Sequence, residues 1–420
     1  MQSAASVISN LEPQILNFES LAISREDQLL LLSARLTFDP ETNTRFKKVL
    51  TSNLDWEKLL QNAKRLGASP LLHKHLSHPQ WRDAVPTYVL QTLKEAYRKS
   101  AIQALRIQGQ IKQVSNQAAA SEIPIIFLKG AALSGSLYQD IALRPMGDID
   151  FLCREKDIAK VDRMLRHLGY YQDFDICKSS VHKLISNENA KHLTPYNRKN
   201  TVSLEVHKRL IGKQFCGQIK MEQVWNDAIQ TKEDESYPRT LNHEWMLLHL
   251  CVHLNDHLKN GGFTLYWLSD VVGYVSRFGD EVKWDKLFKL AGEFAVQEGV
   301  QNVLSFIHAY YELTIPHPAI HNDSPVFKEL KVVMNVNASK AVIHENLIET
   351  KFEEFKSIAL TYGAMAASYY WFRKLFPKKA YILNKHGETV PWKFLCLYLS
   401  NSYGVLRNAA AGMRMKFIKT

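Results

Sequence analysis

The segment Arg144-Pro-Met-Gly-Asp-Ile-Asp-Phe151 is the most informative part of this sequence. Along a β-strand, alternation points Asp148 and Asp150 to one face and Ile149 and Phe151 to the other, which we expect to be buried. Two carboxylates on one face, directly after a glycine, offer the hard oxygen ligands that Mg²⁺ prefers. The segment therefore predicts a strand with one core face and one metal-binding face.

The residues before this segment predict a phosphate-binding turn. The apolar, β-branched run Ile123-Pro-Ile-Ile-Phe-Leu-Lys129 is typical of a buried strand, and residues 131–138 are typical of a short helix. Gly130 joins the two, and a glycine there lets backbone N–H groups approach a phosphate at the positive end of the helix dipole. Lys129 would add a positive charge. The order of elements therefore puts this turn beside the predicted metal site.

A third acid follows in the segment Thr201-Val-Ser-Leu-Glu-Val-His207. Its apolar and polar residues alternate, so strand geometry puts Ser203, Glu205 and His207 on one face. A carboxylate on the polar face of an otherwise apolar strand suits a metal site and is disfavoured in a core. Residues 191–196 are predicted to form the other arm of a hairpin that turns through residues 197–200. A symmetric turn would place His192 opposite Glu205.

Together these segments resemble the motifs of the polymerase-beta-type nucleotidyltransferase superfamily, and in particular a poorly characterised bacterial branch of it. The shared motifs are Lys129-Gly130, then Arg144 with Gly147-Asp-Ile-Asp150, then Leu204-Glu-Val-His207. The resemblance extends from Asp55 to Trp284. It implies an α+β fold, in which a small mixed-sheet nucleotidyltransferase core is flanked by helical N- and C-terminal regions.

The resemblance also implies the metal chemistry of the site. Asp148 and Asp150 match the paired carboxylates that hold two divalent ions, with Mg²⁺ expected and Mn²⁺ as an alternative. Glu205 matches the third acid, which binds the catalytic ion and helps to remove the proton of the acceptor. His207 is expected either to orient Glu205 or to be a satisfied surface histidine on the same strand.

The donor substrate implied by the resemblance is an NTP, whose phosphates would lie against Gly130. Lys129, Ser134 and Arg144 are the other expected phosphate contacts, although Arg144 could equally pair with a neighbouring carboxylate and lock the loop. The turn departs from the superfamily pattern, which has Gly-Ser or Gly-Gly where this chain has Gly130-Ala131. This departure weakens the expectation that the triphosphate is held in the usual way.

A histidine-rich segment further along the chain allows three interpretations. His249, His253 and His257 are spaced by four, which aligns them on one face of a helix. They are polar residues at an interface, or His253 and Asp270 face the nucleotide or acceptor, or the histidines bind zinc. The zinc interpretation lacks the following Glu of the zinc-protease pattern and a nearby pair of ligands.

The sequence lacks the patterns that are typical of several other classes of protein. The 420 residues contain no Gly-x-Gly-x-x-Gly, Gly-x-x-x-x-Gly-Lys-Ser/Thr or Gly-x-Ser-x-Gly, which argues against dinucleotide enzymes, P-loop ATPases and α/β-hydrolases. The N-terminus lacks a secretory pattern, and no apolar run of about 18 residues would span a membrane. Five scattered cysteines indicate reduced thiols in a cytoplasmic protein: Cys153, Cys177, Cys216, Cys251 and Cys396.

Positive charge is concentrated at the C-terminal end. Residues 372–420 contain ten Lys and Arg and one acidic residue, which accounts for +9 of the net charge of +11. This segment is either a solvated face or the docking surface for an anionic partner, such as nucleic acid or an anionic membrane surface.

Hydrophobic periodicity divides the chain into three parts: a helical region 1–118, a catalytic core 119–235 and a helical region 236–420. Asp55 and Asn242 are predicted helix N-caps. A long helix is expected before residue 118, with an apolar stripe that Gln108 interrupts and Ile111 can resume. The clearest helix of the core is residues 156–169, which Gly169 would end.

The sequence therefore predicts a Mg²⁺-dependent nucleotidyltransferase that moves a nucleoside monophosphate from an NTP to an acceptor oxygen and releases pyrophosphate. The acceptor is left open between a small molecule, a peptide, a protein and RNA. Two alternatives are a nucleotide-binding adaptor that has lost turnover, suggested by Gly130-Ala131, and an RNA-end nucleotidyltransferase that docks through the basic C-terminal region.

Overall fold

The computed structural model describes residues 23–172, 191–211, 221–230, 239–321 and 324–335, together with Ser368. Within them the chain forms one mixed β-sheet flanked by helices, which confirms the predicted α+β fold class. The basic segment 372–420 and three of the cysteines lie outside the described residues, so the expectations about them stay predictions. Cys153 and Cys251 are free and buried. No helix in the described part of the chain is long and apolar enough to cross a membrane.

In the described residues, six helices precede the sheet: α1 (Arg25–Leu32), α2 (Pro40–Leu50), α3 (Trp56–Arg65), α4 (Ser69–Leu76), α5 (Pro79–Arg82) and α6 (Thr87–Ala120). Asp55 caps α3 as predicted, because its side chain accepts a hydrogen bond from the Lys58 N–H. Helix α6 is the predicted long helix, and it continues through Gln108 without a break. Glutamine is a good helix former, and one polar residue in the apolar stripe does not end a helix of 34 residues.

The sheet contains strands β1 (Ile125–Phe127), β2 (Asp148–Cys153), β3 (Tyr171–Gln172), β4 (Tyr196–Asn197), β5 (Ser203–His207), β6 (Ile229–Gln230) and β7 (Arg239–Thr240). Their order is β3-β4-β5-β2-β1-β7-β6. Strand β2 is central: it runs parallel to β5 and antiparallel to β1. The strand that carries the Asp-x-Asp pair therefore lies directly beside the strand that carries Glu205.

The remaining helices of the described chain are α7 (Lys129–Ser136), α8 (Ile158–His167), α9 (Met221–Asn226), α10 (His243–Lys259), α11 (Leu265–Phe278), α12 (Trp284–Glu293), α13 (Gln297–Tyr311) and α14 (Val326–Met334). Helix α8 matches the predicted helix 156–169, since a 3₁₀ turn precedes it and Gly169 follows it in the left-handed conformation, with φ +83°. Only glycine adopts this conformation at little cost, so it ends the helix.

Two hydrophobic clusters cover the two faces of the sheet. Ile149 and Phe151 are fully buried in the cluster that includes residues of α6 and α8, which confirms the predicted core face of β2. Leu152, on the opposite face, belongs to a larger cluster shared by helices from both ends of the chain. The carboxylate face of β2 is therefore directed toward these helices. The three-part division of the chain stays a prediction, and β7 lies beyond its expected boundary at residue 235.

Removing the cap of α10 is expected to destabilise the protein moderately. The Asn242 side chain accepts a hydrogen bond from the Trp245 N–H, as predicted, and Trp245 is fully buried. Asn242→Ala should lower the free energy of unfolding by about 1 kcal/mol, the usual cost of losing an N-cap. Urea denaturation would measure it. Asn242→Asp is the matched control because it keeps an acceptor, and equal losses in both variants would contradict the capping role.

Candidate active site

Register between β2 and β5 brings two of the predicted acids together. Asp150 pairs with Glu205 across the parallel strands, while Asp148 pairs with Ser203. One oxygen of Asp150, one oxygen of Glu205 and one nitrogen of His207 lie within 4.8 Å of one another. Among the described residues these are the side chains close enough to share a metal ion. Glu205 and His207 lie on one face of β5, as strand alternation predicts.

Asp150 is buried and held by two donors. Its Oδ1 atom is 2.8 Å from Lys129 Nζ and 2.8 Å from His207 Nε2. Burial opposes the ionisation of Asp150, but the hydrogen bond from His207 and the charge of Lys129 outweigh it, so its pKa lies well below the usual range. Burial lowers the pKa of His207 to about 4, even though the hydrogen bond to Asp150 acts to raise it. The neutral imidazole therefore donates its Nε2–H to an ionised Asp150.

Glu205 is less strongly held. Its Oε2 atom is 3.9 Å from His192 Nε2 and 3.8 Å from His207 Nε2. Burial raises the pKa of Glu205. His192 lowers it in part, and the negative charge of Asp150 raises it further. In the part of the chain that the structure describes, no side chain donates a hydrogen bond to this carboxylate. Of the two paired acids, Glu205 is thus the one with no hydrogen-bond donor among the described side chains.

His192 lies on the predicted face of the sheet, but the predicted pairing with Glu205 is wrong. His192 forms a bridge with His207 instead of lying opposite Glu205, and the two rings are 5.3 Å apart. The cause is an asymmetric turn: Tyr196 pairs with Leu204, and Asn200 adopts a left-handed φ of +62°. Because the bridge partner is two residues further along β5, His192 still reaches Glu205.

Asp148 lies outside the group of close ligand atoms. It begins β2, is half-buried, and has its pKa raised by burial and by the charge of Asp150. Residues two apart on a strand are separated by about 6.6 Å, so a shared face does not bring their carboxylates to one point. Its expected role as a metal ligand stays a prediction.

The Lys129-Gly130 turn places the ammonium group beside Asp150. Lys129 starts α7 with a left-handed φ of +46°, a conformation that costs a non-glycine residue about 1–2 kcal/mol. Leu128 N–H donates to the Asp150 carbonyl, which fixes the turn against β2. Ser134 is buried on α7, and its hydroxyl donates to the Ala131 carbonyl at 3.3 Å. No contact of Ser134 with the acids is present in the described residues.

Arg144 pairs with an acid, the second of its two expected roles. Its guanidinium donates to both oxygens of Asp270, with Nη2–Oδ2 at 2.8 Å and Nε–Oδ1 at 2.9 Å. The Tyr138 hydroxyl also donates to Asp270, at 2.7 Å, and all three side chains are buried. Asp270 is therefore buried and paired with these two side chains, and its expected role near the nucleotide or acceptor stays a prediction. Sequence reasoning could not find this pair, since 126 residues separate its members.

The histidines of α10 contact one another, and His257 also contacts Trp267 on α11. His253 and His257 have ring centroids 4.5 Å apart, and His257 stacks on Trp267 at 3.9 Å. Burial lowers the pKa of His249 and His253 well below the usual value, and the charge of Lys129 adds to this effect. The histidines share one face, as predicted, but they are not part of a close group of three metal ligands within the described ranges.

Substituting Gly130 is expected to disturb the turn. A Cβ atom on Gly130 would lie 2.1 Å from Arg144 Nη1 and 2.7 Å from Met146 Sδ, both in the interior. Gly130→Ala should therefore cost about 1–3 kcal/mol of stability, as overpacking does, and weaken ligand binding at Lys129. Gly135→Ala is the matched control on the same helix, because its Cβ would meet no atom within 4 Å. Thermal denaturation of both variants tests this, and equal stability would contradict it.

Comparison with known proteins agrees with this geometry. A family described as "Uncharacterised nucleotidyltransferase" matches residues 52–312, a range that contains the sheet, the paired acids, the Lys129 turn and the Arg144–Asp270 pair. No curated protein and no solved structure matches the chain. The family match spans more than half of the sequence and confirms the resemblance seen in the motifs. The chain therefore belongs to this family of nucleotidyltransferases and is an enzyme of that class.

Proposed function

We propose that the chain transfers a nucleoside monophosphate from an NTP to an acceptor oxygen at Asp150 and Glu205, with release of pyrophosphate. One observation carries the proposal: two carboxylates lie in register on adjoining parallel strands, beside a lysine at the start of a helix. A nucleotidyltransferase must bring together negative phosphates and an attacking oxygen. This arrangement provides positive charge for the first and a carboxylate for the second.

The donor atoms fit a divalent cation. Two carboxylate oxygens and an imidazole nitrogen within 4.8 Å of one another are a usual ligand set for such an ion. Asp150, Glu205 and His207 would hold it, and we propose Asp148 as a ligand of a second ion. When bound, the cation supplies the positive charge that stabilises the transferring phosphoryl group and the departing pyrophosphate.

The side chains around the acids have separate tasks in this proposal. Lys129 lies at the N-terminus of α7, where its ammonium and the free N–H groups of the helix attract the phosphates. Gly130 keeps this turn open and lets Arg144 pack against it. Glu205, the carboxylate without a hydrogen-bond donor among the described residues, accepts the proton of the attacking oxygen.

Cation-dependent NTP binding tests the proposal. We would measure the thermal denaturation midpoint with each NTP in Mg²⁺, in Mn²⁺ and in EDTA, for the wild type and the Asp148→Ala/Asp150→Ala variant. One or two NTPs should stabilise the wild type only with a cation, by about 2.7 kcal/mol at a hundredfold excess over Kd. The variant should show no such shift relative to its own ligand-free midpoint. A wild type that no NTP stabilises, or that NTP stabilises equally in EDTA, would refute the proposal.

A further inference from the structure

A nitrogen atom distinguishes the close ligand group from a site built only of carboxylates. His207 Nε2 lies 2.8 Å from Asp150 Oδ1 and 3.8 Å from Glu205 Oε2, and its ring is fully buried. We propose that His207 Nε2 is a direct ligand of the divalent cation, and that the site consequently prefers a first-row transition metal such as Mn²⁺ to Mg²⁺. The inference rests on the proposed function, since it concerns the same cation.

The three ligand atoms are spaced as the ligands of one ion are. At bond lengths of about 2.1 Å, neighbouring ligands of an octahedral cation lie about 3 Å apart and opposite ligands about 4.2 Å apart. The distance of 2.8 Å is close to that of neighbouring ligands, 3.8 Å lies between the two values, and no pair among Asp150, Glu205 and His207 exceeds 4.8 Å. A cation can therefore reach all three through side-chain movement alone, with β2 and β5 kept in register.

Ligation by His207 requires its proton to change nitrogen. The neutral ring carries one proton, on Nε2, where Asp150 accepts it. In the ligating form the proton would be on Nδ1, and Nε2 and Asp150 Oδ1 would both be available to hold the cation. His207 Nδ1 is buried and has no hydrogen-bond partner among the described residues, so it is free to take the proton when the cation replaces the hydrogen bond from Nε2 to Asp150. Lys129 keeps its own contact with Asp150 as a separate donor.

Ligand chemistry supports the preference for a transition metal. Mg²⁺ selects oxygen ligands and holds its water molecules strongly. Imidazole nitrogen binds first-row transition metals better, with affinity that rises from Mn²⁺ along the series. Asp148, the additional oxygen ligand expected from the sequence, is not in the close group, and His207 occupies that place instead. The inner ligand set is thus mixed nitrogen and oxygen.

Electron paramagnetic resonance of Mn²⁺ bound to the full chain tests the inference without measuring activity. Three-pulse spin-echo spectra should show ¹⁴N coupling from a bound imidazole in the wild type, and Mg²⁺ should displace Mn²⁺ only at an excess of about tenfold or more. His207→Gln offers an amide oxygen in place of the nitrogen. It should still bind Mn²⁺, lose the ¹⁴N coupling and lose about tenfold of the preference for Mn²⁺. His192→Gln, the control, should keep both.

Each contrary result has a distinct meaning. Bound Mn²⁺ without ¹⁴N coupling in the wild type, or coupling that survives in His207→Gln and disappears in His192→Gln, overturns the inference. Neither result affects the proposed function as long as NTP binding requires a cation. If the wild type binds no Mn²⁺ at all, the inference is also overturned. A wild type that binds Mn²⁺ through His207 but no NTP would instead refute the proposed function alone.

Discussion

Replacing Glu205 with Gln is expected to lower nucleotidyl transfer by about 100- to 1,000-fold, the loss that follows removal of one electrostatic contact to a transition state. The fold should remain as stable as before, or become more stable. Glutamine has nearly the same shape, but it cannot neutralise a cation or accept the proton of the acceptor. Pyrophosphate release would measure the loss, with the NTP that stabilises the chain and a cell extract as the source of acceptor.

The stability of this variant follows from the environment of Glu205. Burial and the charge of Asp150 raise its pKa above the usual 4.5, so its ionised form destabilises the folded protein at neutral pH. Glutamine removes that penalty when EDTA keeps the site free of cations. The advantage should shrink as the pH falls from 7 toward 4.5, because Glu205 then becomes neutral too.

Two comparisons make this result specific. Glu155→Gln changes an exposed acid whose partner is Arg209, and it should alter neither activity nor stability appreciably. Asp150→Asn should lose activity and also stability, because Lys129 would be left without its buried partner. A Glu205→Gln enzyme with full activity would contradict the assigned site. A variant that unfolds would show that Glu205 has a structural role.

Local sequence patterns predicted part of the site, and pairing between distant strands decided the rest. Strand alternation is a local rule, and it placed Asp150, Glu205 and His207 on the correct faces. The register between β2 and β5 decides which of these side chains come close to one another. Local rules therefore could not show that the ligand atom closest to Asp150 and Glu205 belongs to His207 and not to Asp148.

Local sequence patterns did not predict contacts between distant residues or the geometry of the turn before β5. The position of His192 depends on a turn in which Asn200 takes a left-handed conformation, and hydrophobic alternation does not report this. Gln110 of α6 is a second example. Its amide bonds the carbonyl and N–H of Val202, next to β5, but a buried glutamine in a helix has no sequence signal of its own. Both features link residues that only the folded sheet brings together.

Replacing Asp270 with Asn is expected to cost about 3–5 kcal/mol of stability. The change leaves Arg144 as an uncompensated charge in the interior, where its side chain is 5 % exposed, and breaking a buried ion pair on one side has this cost. Because Arg144 Nη1 lies against Gly130, the disturbance should also reach the Lys129 turn and weaken NTP binding. Urea denaturation and the thermal-shift assay measure the two effects. An unchanged midpoint would contradict the importance of the pair.

A triple variant, Tyr138→Phe/Arg144→Met/Asp270→Leu, separates the two roles that the sequence allowed for Arg144. It removes the ion pair together with the hydroxyl that also bonds Asp270, so no buried polar group loses its partner. Replacing a whole buried network by apolar side chains is often nearly neutral, so most of the stability should return. We expect NTP binding to return as well, because Asp270 already takes up Nε and Nη2 of the guanidinium. A stable triple variant that cannot bind NTP would show instead that Arg144 contacts the phosphates through Nη1.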